Sequence, residues 1–278
     1  MNDLYSDTCF ECSKLITERY STSFSLGIKA FDKKYRDPIY AIYGFVRYAD
    51  EIVDTFHNHD KGQLFNSFKE DTYKAISQGI SLNPVLHSFQ KTINKFNIPI
   101  HLIESFLKSM EMDLDKNKYE ESSYLEYIYG SAEVIGLMCL MVFCDGDEVK
   151  YNELKPSAQQ LGSAFQKINF LRDIKSDYQE RGRVYFPNIE FNEFCESQKK
   201  LIEDDIQKDF DAGYEGIKRL PEGARLGVYI AYRYYLDLFR KIKKVPATEV
   251  ASKRIRVANS RKAVLFFQAL LKNKFISA

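Results

Sequence analysis

Two pairs of aspartates, each pair four residues apart, carry the chemistry most clearly in this 278-residue sequence. Asp50 and Asp54 close the segment Ile39–Asp54, IYAIYGFVRYADEIVD, and Asp173 and Asp177 close Leu161–Asp177, LGSAFQKINFLRDIKSD. Side chains at i and i+4 are neighbours on one helix face, so each pair can share a hard cation. Mg²⁺, or Mn²⁺ in its place, keeps several waters and commonly bridges one or two carboxylates to substrate phosphates. Tyr43 and Arg47 share the stripe of the first pair; Gly162, Gln166 and Asn169 share that of the second, and Arg172 adjoins Asp173. Asn169 and Gln166 add neutral oxygens, and Arg47 and Arg172 suit phosphate oxygens through charge-assisted hydrogen bonds.

A single Asp-x-x-x-Asp reads as a solvated helix face. Here both pairs sit on helices with apolar stripes, Ile39, Ile42, Val46, Ala49 and Val53 on the first and Leu161, Ala164, Ile168 and Leu171 on the second. Charges in such a place need a partner, water or a bound cation. A carboxylate-bridged di-iron bundle would need Glu-x-x-His motifs, and none of His57, His59, His87 and His101 follows a Glu at that spacing. Zinc through Cys9-x-x-Cys12 or His57-x-His59 would need a second matched pair. After the second aspartate pair comes Arg181-Gly182-Arg183. It reads equally as a helix C-cap whose cations oppose the dipole and as a basic flap over bound diphosphate.

The elements that hold these residues are helical. Gly 13 and Pro 7 are few for the length, so long periodic segments run uninterrupted. The spacing predicts helices over 6–19, 37–56, 63–78, 84–95, 99–113, 121–144, 153–179, 197–216, 221–243 and 248–273, with prolines near their starts. No window shows sustained strand-like alternation, and no linker divides the chain, so one all-α domain over 1–278 is expected. Lys+Arg 40 against Asp+Glu 39 gives a charge of +1 and no electrostatic footprint for nucleic acid. Five scattered cysteines do not form a disulfide framework and suit a reducing compartment. The N-terminus has no basic and apolar leader, and the longest uncharged run, Val134–Cys144, is about half of the ~20 residues a bilayer span needs. A cytoplasmic protein is expected, without a transmembrane span, touching membrane only peripherally for product release.

These motifs together resemble the squalene/phytoene synthases. The resemblance rests on Asp50-Glu-Ile-Val-Asp54 preceded by Tyr43 and Arg47, and on Gln166-x-x-Asn169-x-x-Arg172-Asp173-x-x-x-Asp177 followed by Arg181-Gly-Arg-Val-Tyr-Phe-Pro187. Tyr20-Ser21-Thr-Ser23-Phe-Ser25 is similar to the family's first substrate-contact segment, with Tyr20 where a His is often found. Tyr129-Gly-Ser-Ala-Glu-Val-Ile-Gly136 resembles its pocket-lining central helix, with Glu133 in place of a smaller residue.

The resemblance implies a single isoprenoid-synthase helical bundle around a central hydrophobic cavity with Mg²⁺ at its mouth. It implies that Asp50, Asp54, Asp173 and Asp177, assisted by Asn169, bind metal. Ser21, Ser23, Tyr43, Arg47, Gln166 and Arg172 would then contact substrate, with Tyr43 and Arg47 taking part in catalysis. Tyr235 and Arg254 would be further substrate contacts, with neighbouring Tyr234 and Arg256 fitting nearly as well. The implied chemistry joins two prenyl diphosphates head to head: an allylic C–O bond ionises, the second chain attacks, and a cyclopropylcarbinyl diphosphate rearranges. The flavour of both motifs is closer to the phytoene branch, which implies two geranylgeranyl diphosphates going to phytoene without NADPH. Squalene or dehydrosqualene from farnesyl diphosphate is the alternative. A non-catalytic helical assembly factor would be expected to lose the aspartates, and a terpene cyclase to carry a different second motif.

Overall fold

The computed structural model describes residues 3–115, 119–187, 189 and 191–276, and among them there is no β-strand. The helices are α1 (Leu4–Tyr20), α2 (Thr22–Lys29), α3 (Lys33–Thr55), α4 (Lys61–Gln78), α5 (Pro84–Lys95), α6 (Ile100–Asp115) and α7 (Glu121–Ile128). A π-turn over Tyr129–Glu133 joins α7 to α8 (Val134–Cys144). After it come α9 (Glu148–Arg181), α10 (Glu196–Arg219), α11 (Glu222–Lys243), α12 (Ala247–Val250) and α13 (Asn259–Ile276).

The helix faces follow the residue pattern. On α3 the apolar stripe places Ile39, Ile42, Phe45, Ala49 and Val53 in the interior. On α9 Ala164, Ile168 and Leu171 do the same. Buried side chains gather in two clusters. One is built mainly from α3, α5, α6 and α8, with the Phe45 and Phe89 rings stacked 3.8 Å apart. The other is built from α9, α10 and α11, around Phe210, Leu238 and Phe239. Between them lies a cavity of about 540 Å³ walled by α2, α3, α8, α9, α10 and α11.

The continuous helical stretch Glu121–Cys144 is long and apolar enough to cross a membrane by length and composition, at mean hydropathy 1.7. Its composition has an interior explanation: Val134, Leu137, Met138, Leu140 and Val142 are all buried. The π-turn at its middle falls where the stretch lines the cavity, at Ser131 and Ala132.

Several boundaries differ from those expected from sequence. α3 and α9 begin at Lys33 and Glu148, ahead of 37 and 153, so Pro38 and Pro156 lie inside helices. Each proline forgoes one bond, to the carbonyl of Lys34 or Asn152. On α9 the start is set by Asp147, whose side chain accepts from the Lys150 N–H at 2.9 Å. α2 was not expected; Ser21 caps it by accepting from the Phe24 N–H at 3.2 Å. The helix expected over 248–273 is broken: residues 254–258 run without helix between α12 and α13, anchored by buried Val257.

Candidate active site

The polar mouth of the cavity is built where α3 and α9 face each other across it, linked by arginine side chains. From α3, Tyr43, Arg47 and Asp50 line the cavity; from α9, Gln166, Asn169 and Arg172 do so. Ser21 lines it from the cap of α2, Tyr235 from α11 and Arg254 from the segment after α12. Asp54, Asp173 and Asp177 stand at the rim beyond the lining. Ser23 sits in the first turn of α2 and is not among the residues that line the cavity. Tyr235 and Arg254 rather than Tyr234 and Arg256 face the site. The Tyr235 hydroxyl donates to Asn169 Oδ1 at 3.3 Å, and Arg254 Nε lies 2.8 Å from Asp173 Oδ1.

Every one of the four aspartates is held by arginine. Arg47 Nη1 donates to Asp50 Oδ2 at 2.6 Å, and its other arm pairs with Glu51. Asp173 is flanked by Arg172, at 3.0 Å from Nε, and by Arg254. Arg181 spans the two helices, reaching Asp177 Oδ1 at 2.8 Å and Asp54 Oδ2 at 3.3 Å. That one guanidinium shows that the second aspartate of each pair faces the other across the mouth. Gly182, at φ +67°, ends α9 and turns the chain so that Arg183 points inward. Arg183 donates to Asp54 Oδ1 at 3.0 Å. The Arg181-Gly182-Arg183 turn is thus the helix C-cap that the sequence suggested, and it is also an interior tie between α9, α3 and α6.

Behind it lies a network that the sequence did not reveal. Asp113 of α6 is buried and accepts from the hydroxyls of Tyr127 (2.7 Å), Tyr119 (3.2 Å) and Tyr185 (3.2 Å). Its backbone carbonyl accepts from Arg183 Nη2 at 2.7 Å. Tyr127 also lines the cavity. Burial lifts the Asp113 carboxyl from 3.8 to about 6, with Arg183 opposing.

The mouth shows the electrostatic strain of an anion cluster. Burial, then the Asp54 charge, push Asp50 up to about 7; burial, then Asp173, push Asp177 up to about 7. Burial takes the Tyr43 phenol up to about 12, so it stays neutral. Arg47 Nε is buried without a hydrogen-bond partner, a donor left over for an incoming oxygen. The Arg47 guanidinium also lies 4.4 Å from the centroid of the Tyr20 ring. Among the described residues no three carboxylate, imidazole or thiolate groups gather tightly enough to cage an ion alone. Two facing carboxylate pairs nevertheless fit Mg²⁺, which takes one or two carboxylates and completes its shell with water and phosphate.

Below the mouth the cavity turns apolar and aromatic, with Phe24, Phe31, Phe106, Phe143 and Phe165 in its wall. Phe165 stacks on Tyr235 at 4.1 Å, and Phe24 lies 5.1 Å from Tyr43. Fold and site thus define an all-helical protein in which a charged mouth opens into an apolar, aromatic cavity.

The comparisons with known proteins agree. A model of the squalene/phytoene synthase family matches residues 17–261. The phytoene synthase of Arthrospira platensis is 26% identical over 260 residues, 84% of each chain. The 4,4'-diapophytoene synthase of Staphylococcus haemolyticus is 27% identical over 200 residues, 70% of this chain and 66% of that one. A dehydrosqualene synthase crystal structure superposes with a TM-score of 0.81 over 97% of this chain and 98% of its own, at 21% identity. The squalene synthase HpnC from Alicyclobacillus acidocaldarius gives 0.76 over 87% and 95%, at 20% identity. The chain belongs to the squalene/phytoene synthase family. It is a prenyltransferase that joins prenyl chains head to head.

Proposed function

We propose that this enzyme condenses two geranylgeranyl diphosphates to phytoene through a cyclopropylcarbinyl diphosphate, releasing diphosphate, in the cytoplasm and without NADPH. The observation that carries the reading is the junction of an arginine- and aspartate-rich mouth with an apolar cavity of about 540 Å³. Asp50, Asp54, Asp173 and Asp177, with Asn169, would hold Mg²⁺, which when bound supplies Lewis-acid stabilisation of the departing diphosphate.

The chain's own groups do the rest. Arg47, Arg172 and Arg254 face the mouth and can exchange their carboxylate partners for diphosphate oxygens, with Arg47 Nε already free to donate. Ser21 and Gln166 stand beside them as neutral hydrogen-bonding groups. The aromatic faces of Tyr43, Phe24, Phe165 and Tyr235 lie directly below, where they stabilise a passing carbocation. The apolar wall keeps water from that cation.

Tail length is the support for geranylgeranyl over farnesyl. On α9 the lining runs from Asn169 to Leu154, fifteen residues, or about 22 Å at the helical rise. A sixteen-carbon extended main chain with ~1.5 Å bonds spans about 20 Å, against about 15 Å for twelve carbons. The test is to incubate the purified protein with each diphosphate separately, with and without Mg²⁺ and NADPH. Phytoene from the C20 substrate, lost with chelator and indifferent to NADPH, is expected. A C30 hydrocarbon alone, or a strict NADPH requirement, overturns the reading.

A further inference from the structure

The guanidiniums that meet the carboxylates of the mouth differ in what else they can do. Arg47, Arg172 and Arg254 line the cavity, where diphosphate oxygens can take them over. Arg183 is 7% exposed and is tied to the Asp113 carbonyl at 2.7 Å as well as to Asp54. Arg181 matches neither description. It is not among the residues that line the cavity, and the described residues that its side chain pairs with are two of the aspartates. One is its own helix neighbour, Asp177, at 2.8 Å; the other is Asp54 of α3, at 3.3 Å.

The position of Arg181 leaves it free to move. Its side chain is 30% exposed, against 20% for Asp54 and 11% for Asp177, so of the three groups it is the most open to solvent. It is the last residue of α9, and Gly182 in the left-handed conformation follows it directly. A long side chain at a helix end can turn out to water and leave the packed interior undisturbed. Two carboxylates from facing helices share this one cation. A divalent ion bridging the same two carboxylates needs the oxygens that Arg181 holds. Both cations cannot have them at once.

We infer that Arg181 is an internal competitor of the divalent cation: it holds Asp54 and Asp177 together across the mouth and must turn outward before metal bridges them. The inference rests on the metal role proposed above for the four aspartates and adds a positioning residue to it. Affinity for metal is reduced by the fraction of molecules in which the guanidinium occupies the carboxylates. Taking the competitor away lifts that reduction, so the free protein binds metal more tightly. It also leaves Asp54 and Asp177 without their shared cation, so added metal then stabilises the fold by more than in wild type.

The experiment is equilibrium dialysis of Mn²⁺ alone against the whole chain, comparing wild type, Arg181→Gln, Lys61→Gln and the double variant Arg181→Gln/Asp177→Asn. Lys61 is the control for simple charge: it acts on Asp54 electrostatically, but its ammonium is bonded to the Val53 carbonyl at 2.9 Å. Arg181→Gln is expected to bind Mn²⁺ roughly tenfold more tightly, equivalent to about 1.4 kcal/mol, and Lys61→Gln to change the affinity less than threefold. In the double variant the gain is expected to vanish. Thermal melts establish that each variant folds, with Arg181→Met standing in if Arg181→Gln does not, and Mn²⁺ should raise Tm more in the Arg181 variant than in wild type. Unchanged or weaker Mn²⁺ binding by the folded Arg181 variant overturns the competitor. An equal gain in Lys61→Gln overturns it too, as does a gain that survives Asp177→Asn. The metal role itself is judged by the loss of turnover with chelator, so the two readings fail separately.

Discussion

Replacing Arg183 with methionine tests the tie beneath the mouth. The Arg183 side chain is 7% exposed and lies 3.4 Å from Asp113 Oδ1, whose own side chain is 4% exposed. With arginine present, Asp113 titrates near 6, above its ordinary 3.8. A carboxyl raised in the folded state favours folding while protonated, and that advantage is lost as pH rises through the folded value. In wild type the loss is therefore complete above about pH 6. Without Arg183 the buried carboxyl moves up further, toward the ~8–9 documented for carboxyls buried without a counter-charge. Between pH 6 and 8 the variant then loses about 1.4 kcal/mol per pH unit relative to wild type, about 3 kcal/mol across the window. At about 2–4 °C per kcal/mol, the gap in Tm should widen by about 6–12 °C from pH 6 to pH 8. Melting curves at pH 5, 6, 7 and 8 measure it. A gap that stays constant above pH 6 would refute the assignment of Arg183 as the counter-charge of Asp113.

Other outcomes follow from the same geometry. Asp50→Ala or Asp173→Ala should lower product formation by roughly three orders of magnitude while far-UV circular dichroism stays helical, since the loss falls on transition-state charge; full turnover in either variant would reject their proposed role. Lys167→Met should cost about 3–5 kcal/mol in urea unfolding, because it strands Asp209, 7% exposed and 2.7 Å from the lysine. By contrast Lys200→Met, at the exposed Lys200–Asp204 pair, should change the urea midpoint little. Leu137→Ala, at a fully buried position of α8, should cost about 2–5 kcal/mol in the same assay.

Much of the site was legible because it lies along single helices. The stripe from Tyr43 through Arg47 to Asp50 and the stripe from Gln166 to Asp177 obey helical spacing, and spacing is a property of sequence. The parts that were missed depend on contacts between distant segments. Asp113 and Arg183 are seventy residues apart, and nothing in the residues around Asp113 marks it as buried beneath a guanidinium. The starts of α3 and α9 were misplaced because Pro38 and Pro156 look like first-turn prolines, whereas the Asp147 cap sets the start of α9. The break between α12 and α13 carries no proline or glycine to announce it, and Val257 within it is buried, a tertiary contact that spacing does not reveal.

The interior position of α8 bears on how the chain is made. Translation delivers this oily segment before α9, one of the helices that pack against it, so it leaves the ribosome without part of its shield. For several seconds, at the usual pace of synthesis, the nascent chain displays a surface that favours self-association over solution. The greasiest part of the finished enzyme is thus also the step at which its production is most exposed to aggregation.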